Sequence, residues 1–354
     1  MLAVRRENRQ LTRRLAAPFV LCLLLLAASV SDCGGGSSGA SEDGADSNGH
    51  WTKLFDLNAS GIGAYYTDMQ FMNESVGYVV GSKAFIGKTT DGGKTWRKLD
   101  SGVDATGLYT DDVFTCAHFL DENEGWVAGW GRLLHTEDGG ATWTDHMPTD
   151  PDLHLPSPQD VYFSDRLHGV VVGMYNRVLY TEDAGETWNQ PVFDFDPELY
   201  KTDHYRVYLL EGGQGWIGGT TVFLRTLDSG KTWNRLESST AYFSSTSNLQ
   251  FLDAENGYAS GNGIAKTTDG GATWTTPPPT ESKMGGTLHA FSTQHVVAGP
   301  YGKVLSSYRE STDGALTSHA LGGTTTMDIR AVSFVSPNLG WSISPLGLIS
   351  QFTR

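Results

Sequence analysis

Two segments of the chain hold carboxylates and imidazoles at spacings that acid–base chemistry could use. MPTDPDLHLPSPQD (147–160) contributes Asp150, Asp152 and His154, and PVFDFDPELYKTDHY (191–205) contributes Asp194, Asp196, Glu198 and His204. Hydrolysis of a glycosidic bond requires two such carboxylates facing each other across a cleft. A second set of side chains suits recognition: Lys83, Trp130, Arg132, Tyr175, Arg177, Tyr301 and Lys303 pair aromatic rings with cations. Other chemistry is absent. No G-x-S-x-G elbow sits between a strand and a helix, and there is no H-E-x-x-H pair and no phosphate-binding glycine loop. The cysteines are Cys22, Cys33 and Cys116, with no C-x-x-C spacing. No metal site, cofactor or disulfide framework is therefore expected.

The elements that must position these residues begin after residue 49. Residues 1–14 carry five Arg against one Glu, and Leu15 to Val30 is an uncharged, mostly apolar run of 16 residues. A basic segment followed by a short apolar one has the layout of a secretory signal, and 16 residues are few for a membrane span. Val30-Ser31-Asp32-Cys33 follows and resembles a bacterial lipobox, with Asp32 where a small residue is usual. The division expected is a signal peptide over 1–32, a tether over 33–49 and one folded domain over 50–354. Cys33 is the lipidation candidate, and the sixteen residues 34–49 (GGGSSGASEDGADSNG) form a coil spanning about 20–25 Å.

The folded part is written in repeats. TTDGGKTW ends at Trp96, TEDGGATW at Trp143, TEDAGETW at Trp188, TLDSGKTW at Trp233 and TTDGGATW at Trp274, and STDGALTS (311–318) is a degenerate sixth copy. The aspartates are Asp91, Asp138, Asp183, Asp228, Asp269 and Asp313. A second signature precedes each box, as in FMNESVGYVVG (71–81) and FLDENEGWVAG (119–129), and recurs a last time as FVSPNLGWSIS (334–344). The result is seven units of four short alternating runs. That pattern predicts propeller blades. His50-Trp51-Thr52-Lys53-Leu54 looks like the residues that follow a box, so 50–57 is expected to close the last blade and cover its edge. The fold expected is all-β, a seven-bladed β-propeller with an N-terminal closing strand.

S/T-x-D-x-G-x-T-W is similar to the Asp-box, or BNR repeat, of sialidases, sortilin-type receptors and xyloglucan-degrading hydrolases. With its Gly-Trp strands the chain most resembles the photosystem II stability and assembly factors, over residues 50–354. That resemblance implies a non-catalytic extracytoplasmic protein that binds a protein client, such as part of a membrane complex. The absence of an Arg-Ile-Pro motif argues against a sialidase. The alternative is a glycoside hydrolase or a carbohydrate-binding module acting on extracellular polysaccharide.

The box aspartates read as turn-formers, because a carboxylate can accept backbone N–H bonds across the turn while glycine permits positive φ. One carboxylate per turn is too few for calcium. Five of the ten Trp sit in boxes, Trp126, Trp216 and Trp341 follow a strand glycine, and Trp51 belongs to the closing strand. Trp130 alone has no repeat role. The formal net charge is −15, and removing residues 1–32 leaves 20 basic against 38 acidic side chains, a net −18. Such a surface repels nucleic acid. The protein is expected to be a monomer, held at the membrane by its N-terminal lipid in the periplasm or at the cell surface.

Overall fold

Alternating apolar residues and turn chemistry carry each repeat into an antiparallel sheet, and a computed structural model shows how the sheets are joined. It describes residues 50–60, 63–104, 113–155, 157–196, 203–220, 222–237, 246–261, 263–275, 286–300, 306–310, 316–320 and 329–354. All belong to the compact unit Asp46–Arg354. Cys33, Tyr301, Lys303, Asp313 and Glu198 lie outside the described residues.

Six sheets each use one continuous stretch of chain. Blade 1 holds Tyr66–Phe71, Gly77–Gly81, Phe85–Thr89 and Arg97–Lys98. Blade 2 holds Cys116–Phe119, Gly125–Gly129, Arg132–Thr136 and Thr144–Asp145. Blade 3 has three strands, Pro158–Phe163, Gly169–Gly173 and Val178–Thr181. Blade 4 has His204–Leu209, Gly215–Gly219, Phe223–Thr226 and Thr232–Arg235, with Val192–Phe193 added outside them. Blade 5 is again three-stranded, Asn248–Phe251, Gly257–Ser260 and Ile264–Thr267. Blade 6 holds Gly286–Ser292, His295–Pro300, Ser306–Glu310 and Leu316–Ala320. The remaining sheet takes Ala331–Ser336, Leu339–Ile343 and Leu348–Thr353 from one end of the chain and His50–Asp56 from the other. First strands of neighbouring sheets touch in a closed ring about a central channel.

The all-β propeller stands, but the seven blades expected are corrected to six. Continuous chain builds six blades, and the further sheet is a junction of the two chain ends, with His50 opposite Thr353 and Asp56 opposite Leu348. Nor are the six blades alike. In blade 3 the outer edge keeps a single bridge, Tyr180 to Asn189. Two residues on, Pro191 has no N–H to continue the ladder. The chain crosses instead to blade 4, where Val192–Phe193 pairs in parallel with Thr232 and Trp233.

Aromatic rings join the sheets. The ring that follows the second-strand glycine of one sheet stacks on the first-strand Phe of the next. Tyr78 lies 3.7 Å from Phe119, Trp126 3.6 Å from Phe163, Trp216 3.4 Å from Phe251, and Trp341 of the junction sheet 3.7 Å from Phe71. The box Trp of the same blade meets that Phe edge-on, as Trp96 meets Phe71 and Trp274 meets Phe251. Each such Phe is therefore held on its face and on its edge, both favoured ring geometries. The glycine explains the fit, since a Cβ on Gly125 would lie 2.2 Å from the Phe119 ring.

Candidate functional site

The hydrogen bonds between turns sort the residues onto two faces. Ser82 donates its N–H to the Tyr65 carbonyl, placing the turn after the second strand beside the entry to the first. Gly92 donates to the Ser75 carbonyl, placing the box beside the opposite turn. The boxes thus share one face, and the connecting loops share the other.

The box face is occupied with its own structure. The Thr89 hydroxyl donates to Asp91 Oδ1 at 2.8 Å, the Thr95 N–H to the same oxygen at 2.9 Å, and the Thr95 hydroxyl to Oδ2 at 2.6 Å. The same set recurs at Asp138, Asp183, Asp228 and Asp269. Bonds from the Thr142 hydroxyl and amide hold the Asp138 carboxyl down at about 2. These oxygens are committed to the turn. Among the described residues no group of three or more His, Cys, Asp or Glu is placed to hold a metal.

The loop face carries the rings. Trp130 is 56% exposed and Tyr175 is 68% exposed, and both hold left-handed backbone, as Lys83 does. Tyr65 and Leu346 are exposed on the same face and escaped the sequence reading, because neither sits in a repeat motif. The cations are less available than the sequence implied. Arg132 donates from Nη1 to Asp145 Oδ2 at 2.8 Å, and Arg177 donates to the Asp152 carbonyl at 2.9 Å.

Side chains that sequence reasoning missed gather where the channel opens on this face. A pocket of about 190 Å³ is lined by Gln159, Tyr205, Arg206, Ser247 and Arg330. Arg206 is held flat by donating from Nε to the Ser247 carbonyl and from Nη1 to the Tyr205 carbonyl. Beside it, Asp68 accepts the Met69 and Ala117 N–H groups, and Asp160 accepts those of Val161 and Val207. Each carboxylate thereby joins its own blade to the next. Burial raises both carboxyls, Asp160 to about 6, with the Arg206 charge and the Val207 amide opposing. A recurring signal existed, since the inner strands YTDMQF, PQDVYF and HYRVYL each carry a charge at the third position.

The channel is a cavity of about 360 Å³ whose lining includes the charged Asp68, Asp160, Arg206 and Arg330 beside the neutral Gln70, His118 and Gln250. His118 donates from Nε2 to the Phe163 carbonyl, while Gln70 and Gln250 make paired backbone bonds at the same level of their blades. Burial lowers His118 to about 4. It does the same to His289 and His135, helped by His295 and His146 respectively. Their unfolded values lie near 6.5, so stability present at neutral pH is lost as pH falls from about 6.5 toward 4. Asp160 works the other way and recovers some stability on acidification. The net loss from pH 7 to pH 5 is expected to be on the order of 4 kcal/mol, read as a lower urea midpoint. His118→Gln, which copies blades 1 and 5, should remove roughly a third of the histidine part of that slope. A slope unchanged by the substitution would count against the assignment.

Among the described residues, Asp150 and Asp194 of the two acidic loops are each committed to backbone N–H groups. Asp150 Oδ1 accepts the Asp152 N–H, the Asp152 carbonyl accepts Arg177 and Gln190, and His154 donates to the Pro148 carbonyl. Asp194 is carried to the outer edge of blade 4, where Oδ1 accepts the Arg235 N–H.

Residues 47–158 and 151–287 match the sequence profile of the family described as photosynthesis system II assembly factor YCF48. The chain belongs to this family. A curated relative, the photosystem II assembly lipoprotein Ycf48 of Synechococcus sp. (strain CC9902), is 36% identical over 93 residues, covering 24% of this chain and 26% of the relative. The match thus spans about a quarter of that relative's length. A structure of YCF48 bound to D1 peptide superposes with a TM-score of 0.64 at 19% identity, covering 90% of this chain and all of the other. YCF48 from Cyanidioschyzon merolae superposes with a TM-score of 0.68 at 18% identity, covering 86% and 99%. At these identities the YCF48 structures support the fold, and family membership rests on the sequence profile.

Proposed function

We propose that this assembly-factor propeller is non-catalytic and binds a segment of a membrane-complex subunit on its loop face, at the mouth of the channel. The observation that carries the reading is the pocket between Arg206 and Arg330, whose guanidinium groups open on the face that the boxes leave free. Arginine in a fixed fork suits a carboxylate or a row of carbonyls on an extended peptide. A relative in the same family has been seen with D1 peptide, which makes a D1 segment the first client to test. Lys83, Trp130 and Tyr175 are the further contacts we assign to this face. A lipid on Cys33, followed by the 34–49 tether, would hold the propeller at an extracytoplasmic membrane surface, in keeping with the relative named a lipoprotein.

The test is titration of a synthetic D1 peptide by fluorescence anisotropy. Arg206→Gln and Arg330→Gln are each expected to weaken binding about tenfold or more, the size of one charge-assisted hydrogen bond. Melting curves check that Asp68 and Asp160 tolerate the lost charge. Equal binding by both folded variants, or no binding by the wild type, would overturn the assignment.

A further inference from the structure

Some side chains of the channel wall fasten the ring, and others do not. Gln70 holds the N–H and carbonyl of Phe119, Gln250 those of Ala290, His118 the carbonyl of Phe163, and Ser333 the N–H of Phe71. Each of these ties its own sheet to the next. Tyr162, Tyr208 and His289 line the cavity at the same level of blades 3, 4 and 6, just before Phe163, Leu209 and Ala290. Among the described residues none of the three makes such a bond. Two residues back along the strands the contrast recurs. Asp68 and Asp160 each accept an N–H of the next blade. Asn248 Oδ1 accepts only the adjacent Leu249 N–H, and its Nδ2 amide has no hydrogen-bond partner among the described residues. Polar groups inside a fold are ordinarily paired, so ring closure accounts for the fastened side chains and leaves the open ones unexplained.

The open groups share one cavity and complement one another. Ring centroids of Tyr162 and Tyr208 are 4.7 Å apart, and those of Tyr162 and His118 4.0 Å, which makes an aromatic wall across blades 2 to 4. Blades 5 and 6 supply the polar part. The Asn248 amide is a donor there. Burial, helped by His295, pushes His289 down to about 4, so its imidazole is neutral and presents one donor and one acceptor. Charge within the cavity is balanced, Asp68 and Asp160 against Arg206 and Arg330. The volume of about 360 Å³ falls in the range of small-molecule sites.

We propose that the channel binds a neutral, planar heteroaromatic molecule of purine size, lying against Tyr162 and Tyr208 with its heteroatoms on Asn248 and His289. A flat ring stacks on the tyrosines, and an aliphatic one of the same size does not. A ring without heteroatoms would leave the Asn248 and His289 groups desolvated and unpaired. An anion or a cation would upset the two-against-two balance of charge. The site lies inside the mouth formed by Arg206 and Arg330 and does not rest on the client reading.

The experiment titrates the protein into 2-aminopurine, whose fluorescence is quenched when it stacks on an aromatic ring. Quenching that saturates below about 1 mM is expected. Adenine should displace the probe. An excess of 1-methylindole, flat but without the hydrogen bonds, should not, nor should 2-piperidone, which has the hydrogen bonds but no flat ring. Asn248→Asp copies the residue that blades 1 and 3 carry at this position, and by removing the donor it should weaken binding about threefold to tenfold. Tyr208→Leu should cost about tenfold and Tyr208→Phe little, because the ring is what stacks. Melting curves confirm that each variant is folded. No quenching by the wild type, displacement by either control as readily as by adenine, or quenching unchanged in folded Asn248→Asp overturns the proposal. D1 peptide is titrated separately: protein that takes the purine but no peptide keeps this site and loses the client, and the converse loses this site alone.

Discussion

Deletion of residues 50–57 is expected to abolish cooperative unfolding and leave a chain that aggregates. The strand His50–Asp56 pairs along its length with Leu348–Thr353. Trp51, 6% exposed, packs its ring 5.9 Å from Phe334 and 5.4 Å from Phe352, and Leu57 is 1% exposed at the strand's end. Losing a buried Trp and a buried Leu costs about 5–10 kcal/mol together, comparable to the whole stability of an ordinary domain. The deletion also bares the edge of Leu348–Thr353 and invites another chain to pair there. Light scattering during a thermal ramp reads both effects. A truncated protein that stays soluble and melts like the full domain would show that the junction sheet is dispensable. Trp51→Ala isolates the packing part, at about 3–5 kcal/mol with the edge still covered.

Phe251→Ala is the second large effect, and it acts in the middle of the ring. Trp216 lies on the Phe251 face at 3.4 Å with an interplanar angle of 1°, and Trp274 meets its edge at 6.1 Å. Truncation removes both contacts and opens a cavity between blades 4 and 5 that rigid sheets cannot collapse. A loss of about 3–5 kcal/mol follows, or roughly 6–12 °C in melting temperature. Phe251→Leu fills much of the volume and should recover more than half of it. Trp130→Ala, a larger side chain in an exposed turn, should leave the melt unmoved. If the two alanine variants melt alike, the stacked ring is not what fastens one blade to the next.

The parts of this molecule that are written locally were legible in its sequence. A box needs Thr, Asp, Gly and Thr within eight residues because its bonds close within one turn, so its spacing survives wherever the turn does. Trp130 stood out because every other Trp was accounted for by a repeat. The Arg206–Arg330 pocket was not legible, since the two residues are far apart in sequence and meet only when the ring is closed. The ion pair on Arg132 was hidden for a similar reason. Asp145, the partner of Arg132, comes thirteen residues later and reaches it only across the sheet. The crossing at Pro191 was not legible from the repeats, because one missing N–H there sends the chain to another blade. The junction of the two chain ends was legible, because His50-Trp51-Thr52-Lys53-Leu54 reads like the residues that follow a box.

That assembly has a consequence in time. His50 must find Thr353 across about 300 residues, a separation that makes loop closure slow as well as entropically costly. The first strand to emerge from the ribosome is therefore the last to gain its partner. Until residue 353 is out, the ring stands open with two bare edges and Trp51 in water. The hazard for this protein lies in the interval between synthesis and closure, when a chaperone, or sheer speed of folding, must keep those edges from pairing elsewhere.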